Sequence, residues 1–395
     1  MVAAFLLSAA IAANPSMRFQ RHAIDVYPGG YQVAVADLNG DGRPDVVALS
    51  TEGNRVDWYE NPTWKRRAVT AIDRPIDLVV NDVDGDGLPE IALASGFYFA
   101  ESTRGGEIQW LKATGGLEAS WTIHRVARNP VAHRLRFADV DGDGRKELIH
   151  APIFGPGSDG ARLPKAALLT LFRPPRDPSE RNWEAETIDE SLTVLHGLWA
   201  GKLDRSGRDQ VLTASFEGVF RFQYEGVHPS GHWRKEFLFP GAAPKEPNPG
   251  ASRGSSEIVP IRLRGGQWLL ATIEPWHGNQ VAVYAPSTPQ APSFRAGTWQ
   301  RHVLDEELVE GHVLMAADFD GDGDDELVAG WRGGKGGLTL YDLADGKTVR
   351  FARLAVDRGI AAEGAAVADL NGDGRLDLIV IAGRTKDLVW YENRQ

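Results

Sequence analysis

Short apolar runs alternate with turns rich in glycine and aspartate along this chain, and their order is the same in each repeat. In the first repeat an apolar run at residues 33–36 enters an Asp-rich turn and a second run at 46–49 leaves it. A third run carries Trp58-Tyr59-Glu60-Asn61, and a fourth, at 64–69, mixes an aromatic with basic and apolar residues. Runs this short, separated by turn signals at regular spacing, predict antiparallel β-strands rather than helices. The Asp-rich turn recurs as Asp37-Leu-Asn39-Gly-Asp41-Gly-Arg-Pro-Asp45 and Asp82-Val-Asp84-Gly-Asp86-Gly-Leu-Pro-Glu90. Three more copies follow: Asp139-Val-Asp141-Gly-Asp143-Gly-Arg-Lys-Glu147, Asp318-Phe-Asp320-Gly-Asp322-Gly-Asp-Asp-Glu326 and Asp369-Leu-Asn371-Gly-Asp373-Gly-Arg-Leu-Asp377. Between the third and fourth lies room for two degraded units, one at Lys202-Leu-Asp204-Arg-Ser206 and one spanning Ile258 to Trp268. The aromatic-basic run gives the same count of seven, at residues 18–24, 64–69, 121–126, 183–188, 233–238, 299–304 and 349–354.

Seven units of four strands predict an all-β fold, a seven-bladed β-propeller formed as one domain over residues 18–395. The last unit stops after its third strand at Val389-Trp-Tyr-Glu-Asn393, and the chain starts with a spare fourth strand at 18–24. The N-terminal strand is therefore expected to complete the last blade and close the ring. Residues 1–13 form an apolar run with small residues around Ala10 and Ala12, a signal-peptide-like segment too short to span a bilayer. That points to a secreted, periplasmic or extracellular protein.

Oxygen donors on alternate residues of a glycine-bearing loop suit calcium, which takes six to eight oxygens at irregular angles. Side chains at loop positions one, three, five and nine, with a carbonyl at seven, would supply them. The spacing resembles the start of an EF-hand loop, but the flanks are strands. About five structural calcium ions are expected, all on one side of the disc, with affinities on the order of 10⁻⁴ to 10⁻³ M as in extracellular modules. In the fourth unit Lys202 replaces the first aspartate, and its ammonium is expected to stand in for the ion. These positions hold 18 of the 54 acidic residues, so the net charge of −11 conceals a mildly basic remainder, with 43 Lys and Arg against 36 acids. Such a surface suits a polyanion, although no basic run is dense enough for nucleic acid. The chain has no cysteine, which excludes disulfides and thiol catalysis.

The opposite face carries the candidate chemistry. Six residues before each loop, at the start of each inner strand, stand Tyr31, Ile76, His133, His196, His312 and Glu363, with Ser256 or Glu257 in the fifth unit. The loops between second and third strands add Tyr98, Glu217, His277, Arg332 and Arg384. His22, His124 and His302 fall in outer strands, and His228 and His232 in a hairpin on the calcium side. Two chemistries fit this set. A histidine could take the proton α to a carboxylate or carbonyl while arginine neutralises the enolate and a tyrosine or second histidine assists the leaving group. Alternatively, His133, His196, His312 and Glu363 converge on an additional divalent metal in the channel. A Gly-x-Ser-x-Gly elbow does not occur, which argues against a serine hydrolase.

The Asp-rich repeats resemble FG-GAP/VCBS repeats, the family that includes integrin α-subunit propellers, over essentially the whole chain after about residue 17. The stretches Leu195-His196-Gly197, Glu274-Pro-Trp-His277-Gly-Asn279 and Glu310-Gly-His312 are similar to those of the aldos-2-ulose dehydratase and propeller-type polysaccharide lyase families. That resemblance implies a carbohydrate substrate, uronate-containing or keto, and a lyase or dehydratase with His196, His277 and His312 as leading acid–base candidates. The alternative it leaves open is a non-catalytic, calcium-stabilised module that binds glycan or protein as integrin-type propellers do; on either reading a monomer without a membrane span is expected.

Overall fold

The structure, a computed structural model, describes residues 17–114, 120–180, 182–246, 248, 250–287, 294, 297–345 and 349–395. The signal-peptide-like segment at 1–13 lies outside them. Among the described residues every regular element is a strand: twenty-eight strands form seven four-stranded antiparallel sheets. No helix among them is long and apolar enough to cross a membrane. The inner strands are Gly30–Ala36, Asp77–Asn81, Ala132–Ala138, Gly197–Gly201, Glu257–Arg262, Gly311–Ala317 and Gly364–Ala368. Each lies beside the inner strands of the blades on either side, the first beside the seventh, so the seven surround one channel. In the seventh sheet Phe19–Val26 pairs antiparallel with Asp387–Asn393 in the outermost place.

The sheets are held face to face by apolar side chains from both partners. Val46, Ala48 and Tyr59 of blade one pack on Ile379, Ile381 and Leu388 of blade seven, and a comparable cluster fills each of the other inter-blade spaces. Middle strands buried on both faces explain their unbroken apolar runs, such as Asp45–Ser50 and Asp377–Ala382. Polar latches join the same neighbours. The third-strand tyrosines Tyr59, Tyr341 and Tyr391 donate to Asp25, Asp305 and Asp357, each from the fourth strand of the preceding blade, at 2.7, 2.6 and 2.7 Å. The asparagine of the Trp-Tyr-Glu-Asn motif works likewise: Asn61 donates to the Leu370 carbonyl at 2.8 Å, and Asn393 to that of Phe319 at 2.7 Å. Both carbonyls belong to the Asp loop of the preceding blade, so each of these loops is clamped by its neighbour.

One buried group stands apart. His150, in the second strand of blade three, is fully buried, and neither ring nitrogen has a hydrogen-bond partner. Burial pushes its pKa from 6.5 down to about 3, so the fold holds it neutral. The stability that depends on the neutral ring is fully present above the unfolded value and is lost as pH falls toward the folded one. Relative to His150→Leu, the protein should lose about 2 kcal/mol of unfolding free energy between pH 8 and pH 5. Urea denaturation of both proteins at the two pH values checks this, and parallel losses would contradict it.

Candidate active site at the channel mouth

Backbone geometry explains why the residues at the head of the inner strands reach the axis. A left-handed residue stands two positions earlier in six blades: Gly29, Arg74, Val131, Val194, Gly254 and Glu310, with φ of 68, 41, 59, 46, 63 and 54°. For the two valines this is a costly conformation, of the kind found where a site imposes it. In blades one, three and six the next step is a β-bulge, and Tyr31, His133 and His312 are the extra residues. A bulge re-aims its side chain, here toward the channel. In blades two, four, five and seven the amides of Ile76, His196, Ser256 and Glu363 instead bond directly to the second strand. Ser256 is thus the backbone equivalent in blade five, and Glu257, one residue on, also reaches the site.

The side chains meet there. His277 Nε2 lies 2.9 Å from His196 Nε2, and Tyr31 Oη lies 3.1 Å from His312 Nε2 and 3.4 Å from His133 Nε2. Carbonyls fix two tautomers. His196 Nδ1–H donates to Ser256 at 3.0 Å and His312 Nδ1–H to Glu363 at 2.6 Å, leaving both Nε2 lone pairs toward the channel. Two carboxylates back these rings. Glu257 sits 3.0 Å from His196 Nδ1 and 3.0 Å from Arg134, while Glu363 sits 3.7 Å from His312 Nδ1 and 2.9 Å from Arg332. Arg332 also donates to His277 Nδ1 at 3.3 Å, so His277 carries its proton on Nε2 and donates it to His196.

Burial dominates the electrostatics. It holds His133, His277 and His312 well below the usual histidine value, helped by Arg134, His196 and Arg332 respectively. His196 is also lowered by burial, but Glu257 opposes the shift. Burial pushes the Glu257 carboxyl up, and Arg134 with His196 more than offsets it, so the group stays ionised. Glu363 is raised by burial, which Arg332 only partly counters. Tyr31 is pushed up to about 12, again by burial, and keeps its proton.

His133, His196, His277, His312, Glu363 and Arg332 therefore converge. Tyr98 turns to Asp73 at 2.6 Å with the Arg74 and Arg104 guanidinium groups over its ring, and Arg384 bonds the Arg332 carbonyl at 2.6 Å. Neither touches the histidines. Glu217 caps Thr193 at 2.8 Å and so supports the bend before His196. Sequence reasoning left Arg134 out, although its place directly after a bulged histidine is a usable signal. His196, His277 and His312 offer ligand nitrogens within 4.8 Å of one another, a donor set suited to a transition metal.

On the other face the Asp loops present oxygen donors only. The first aspartate caps loop amides in all five: Asp37, Asp82, Asp139, Asp318 and Asp369 accept from the glycines three and five residues on. Gly40 and Gly42, with φ of 73 and 84°, show why glycine is needed where the loop wraps around. Burial and the neighbouring Asp320 push the Glu326 carboxyl up to about 9. Lys202 is exposed. The blade-four turn is tied to blade three, Asp209 exchanging two 2.8 Å bonds with the Asp139 backbone.

The buried Arg134–Glu257 pair gives a direct check on this arrangement. Arg134→Met strands an ionised carboxylate beside His196 and should cost about 3–5 kcal/mol. Adding Glu257→Gln should restore part of that loss in a double-mutant cycle followed by urea denaturation. A cost below about 1 kcal/mol for the single variant would contradict the pairing.

Comparison with known proteins follows the same lines. A family model for the aldos-2-ulose dehydratase β-propeller domain matches residues 105–287, and one for the FG-GAP-like repeat matches 37–93 and 318–380. An aldos-2-ulose dehydratase of Phanerodontia chrysosporium is 23% identical over 376 residues, 89% of this chain but 40% of that protein. The chain thus spans well under half the length of that curated relative. Chains in two crystal structures of BBS1N in complex with ARL6DN, soaked with mercury and with lead, align with a TM-score of 0.57 at 11% and 12% identity. They cover 95% and 98% of this chain, and 97% and 100% of theirs, and speak for the fold alone. The chain is a seven-bladed propeller with FG-GAP-like repeats, distantly related to aldos-2-ulose dehydratase and similar to its propeller domain.

Proposed function

We propose that this propeller is a carbohydrate dehydratase or lyase that performs β-elimination on a keto or acidic sugar at the histidine-lined mouth. The observation that carries the reading is the His196–His277 contact, a lone pair facing an N–H, with Arg332 and Tyr31 beside it. A sugar inserted there meets a base at His196 Nε2 and donors at His277 Nε2 and Arg332. His196 removes the proton α to the carbonyl or carboxylate, and Glu257 stabilises the resulting imidazolium. Arg332 and the His277 N–H stabilise the developing enolate oxygen. The electron pair then forms the C=C bond as the β C–O bond breaks, and Tyr31 protonates the departing oxygen; solvent reprotonates the tyrosinate and takes the proton that His196 abstracted, which restores the starting state.

A second reading rests on the three ligand nitrogens within 4.8 Å. A divalent metal held by His196, His277 and His312 would polarise the sugar carbonyl. His277 would then carry its proton on Nδ1, facing Arg332, which would have to turn wholly to Glu363 and Glu310. Proton transfer would fall to Tyr31 and His133.

In the same proposal, structural calcium in the Asp loops and the pairing of Phe19–Val26 with the last blade keep the ring closed, as suits an exported protein. The test is an ultraviolet assay with calcium present, on aldosuloses and uronate-containing polysaccharides. A new absorbance from an unsaturated sugar is expected, and His196→Ala or His312→Ala should lower kcat/KM about a hundredfold to ten-thousandfold with little change in Tm. Turnover unaffected by both substitutions would overturn the site assignment. A flat trace across the panel would favour a glycan- or protein-binding module.

A further inference from the structure

The turns between second and third strands differ in charge around the ring. Blade one carries Glu52, blade two pairs Arg104 with Glu101, blade three pairs Arg162 with Asp159, and blade four carries Glu217. Blades six and seven instead carry Lys335, Arg384 and Lys386, and Arg358 stands on the same face just after the fourth strand of blade six. All four are exposed, and among the described residues none has an acidic partner. The acids around them are engaged by other cations: Asp357 and Asp387 by Arg21 at 3.6 and 2.6 Å, Glu307 by Arg353 at 3.6 Å, and Glu310 and Glu363 by Arg332 at 3.3 and 2.9 Å.

The four cations share one continuous surface. Gly336 lies so close to the Ile360 carbonyl that a Cβ there would come within 2.3 Å of its oxygen. The Ala361 N–H donates to Thr385 Oγ1 at 3.2 Å, and Arg384 donates to the Arg332 carbonyl at 2.6 Å. Segments 332–336, 358–361 and 383–386 therefore touch one another, and the contacts end on Arg332, whose side chain meets His277. On the outer side of the same turn is a cleft of about 600 Å³ lined by Trp331, Lys335, Arg353 and Arg358. Its acids, Asp305, Glu307 and Asp357, are held by Arg353 and Arg21. The turn thus presents Arg332 to the channel, and the half-buried Trp331 with Lys335 to the cleft.

Uncompensated cations on one face raise the local concentration of anions, and a polyanion can meet several of them at once. One carboxylate needs one cation, whereas four spread over three touching segments suit a repeating charge. An indole ring beside cations in an open cleft suits a sugar, whose C–H face packs on the ring while its polar edge stays wet. Elimination adds a condition of its own, because the C–H that is broken must be α to a carbonyl or carboxylate. The carboxylate of a uronate meets that condition and supplies the negative charge.

We infer that the mouth face of blades six and seven docks an acidic polysaccharide, a polyuronate whose chain runs from the histidines over the turn at Arg332 to the Trp331 cleft. The choice of uronate rests on the elimination reading. Hyaluronan is the probe, since carboxylates are its only charges, and dextran is the neutral control. Titration calorimetry on the full chain at about 0.05 M salt should show binding of hyaluronan that weakens as salt rises to about 0.5 M, and none of dextran. Substituting Lys335→Gln, Arg358→Gln and Lys386→Gln together should raise Kd about tenfold with Tm unchanged. The same loss of charge on the opposite face, by Lys146→Gln, Lys202→Gln and Arg205→Gln, should leave Kd within about twofold. No binding of hyaluronan, equal binding of dextran, or equal weakening by the two triple substitutions would overturn the inference. The unsubstituted protein decides the first two points even if a variant folds poorly. Product from aldosuloses without hyaluronan binding would keep the elimination reading and end this one, whereas charge-dependent binding without product from any sugar would do the reverse.

Discussion

A four-stranded sheet with both faces apolar has nowhere to hide them except against another such sheet, and that requirement organises this molecule. Seven sheets satisfy it by packing around a common channel, each interface filled by side chains from two blades. The geometry brings the heads of all seven inner strands to one rim. Residues far apart in sequence, such as Tyr31 and His312, then lie 3.1 Å apart without any local signal that they should. Once the ring exists, chemistry at the rim needs only bends that aim the side chains inward, and the left-handed residues and bulges supply them.

Electrostatics divides the rim into two similar units. In each, a glutamate at or next to the head of one inner strand backs a histidine of the preceding blade and is itself held by an arginine: Arg134–Glu257–His196 and Arg332–Glu363–His312. The units are not equivalent. Glu257 stays ionised beside His196, whereas Glu363 is raised and His312 is held well below the usual histidine value. His196 is lowered by burial but has an ionised carboxylate beside it, and His312 is coupled to a protonated tyrosine, an asymmetry that suits the elimination proposed for this site.

Much of this was legible in the sequence because the fold repeats. The Asp-rich turn and the Trp-Tyr-Glu-Asn run mark blades directly, and the aromatic-basic strand carries the count through blades four and five, where the loop has decayed. The offset from each loop located His133, His196, His312 and Glu363 because inner strands have nearly constant length. It could not decide between Ser256 and Glu257, since blade five has lost its loop and a carbonyl and a carboxylate from adjacent residues both serve His196. Tyr98 looked equivalent to the other tips but finds a closer partner in Asp73. Replacement of an ion by a side chain was expected at Lys202. Among the described residues, Lys112 and Arg173 reach Asp-loop carboxylates from third strands, a placement that strand register and not the local sequence reveals.

The central claim is that proton abstraction from the sugar occurs at His196. The most direct measurement uses an aldosulose deuterated at the carbon α to its carbonyl, with the product examined by NMR. The account predicts an unsaturated product that has lost the deuterium to solvent, a primary isotope effect on its formation, and no product with His196→Gln. A product that retains the label, or one formed at an undiminished rate by His196→Gln, would contradict it.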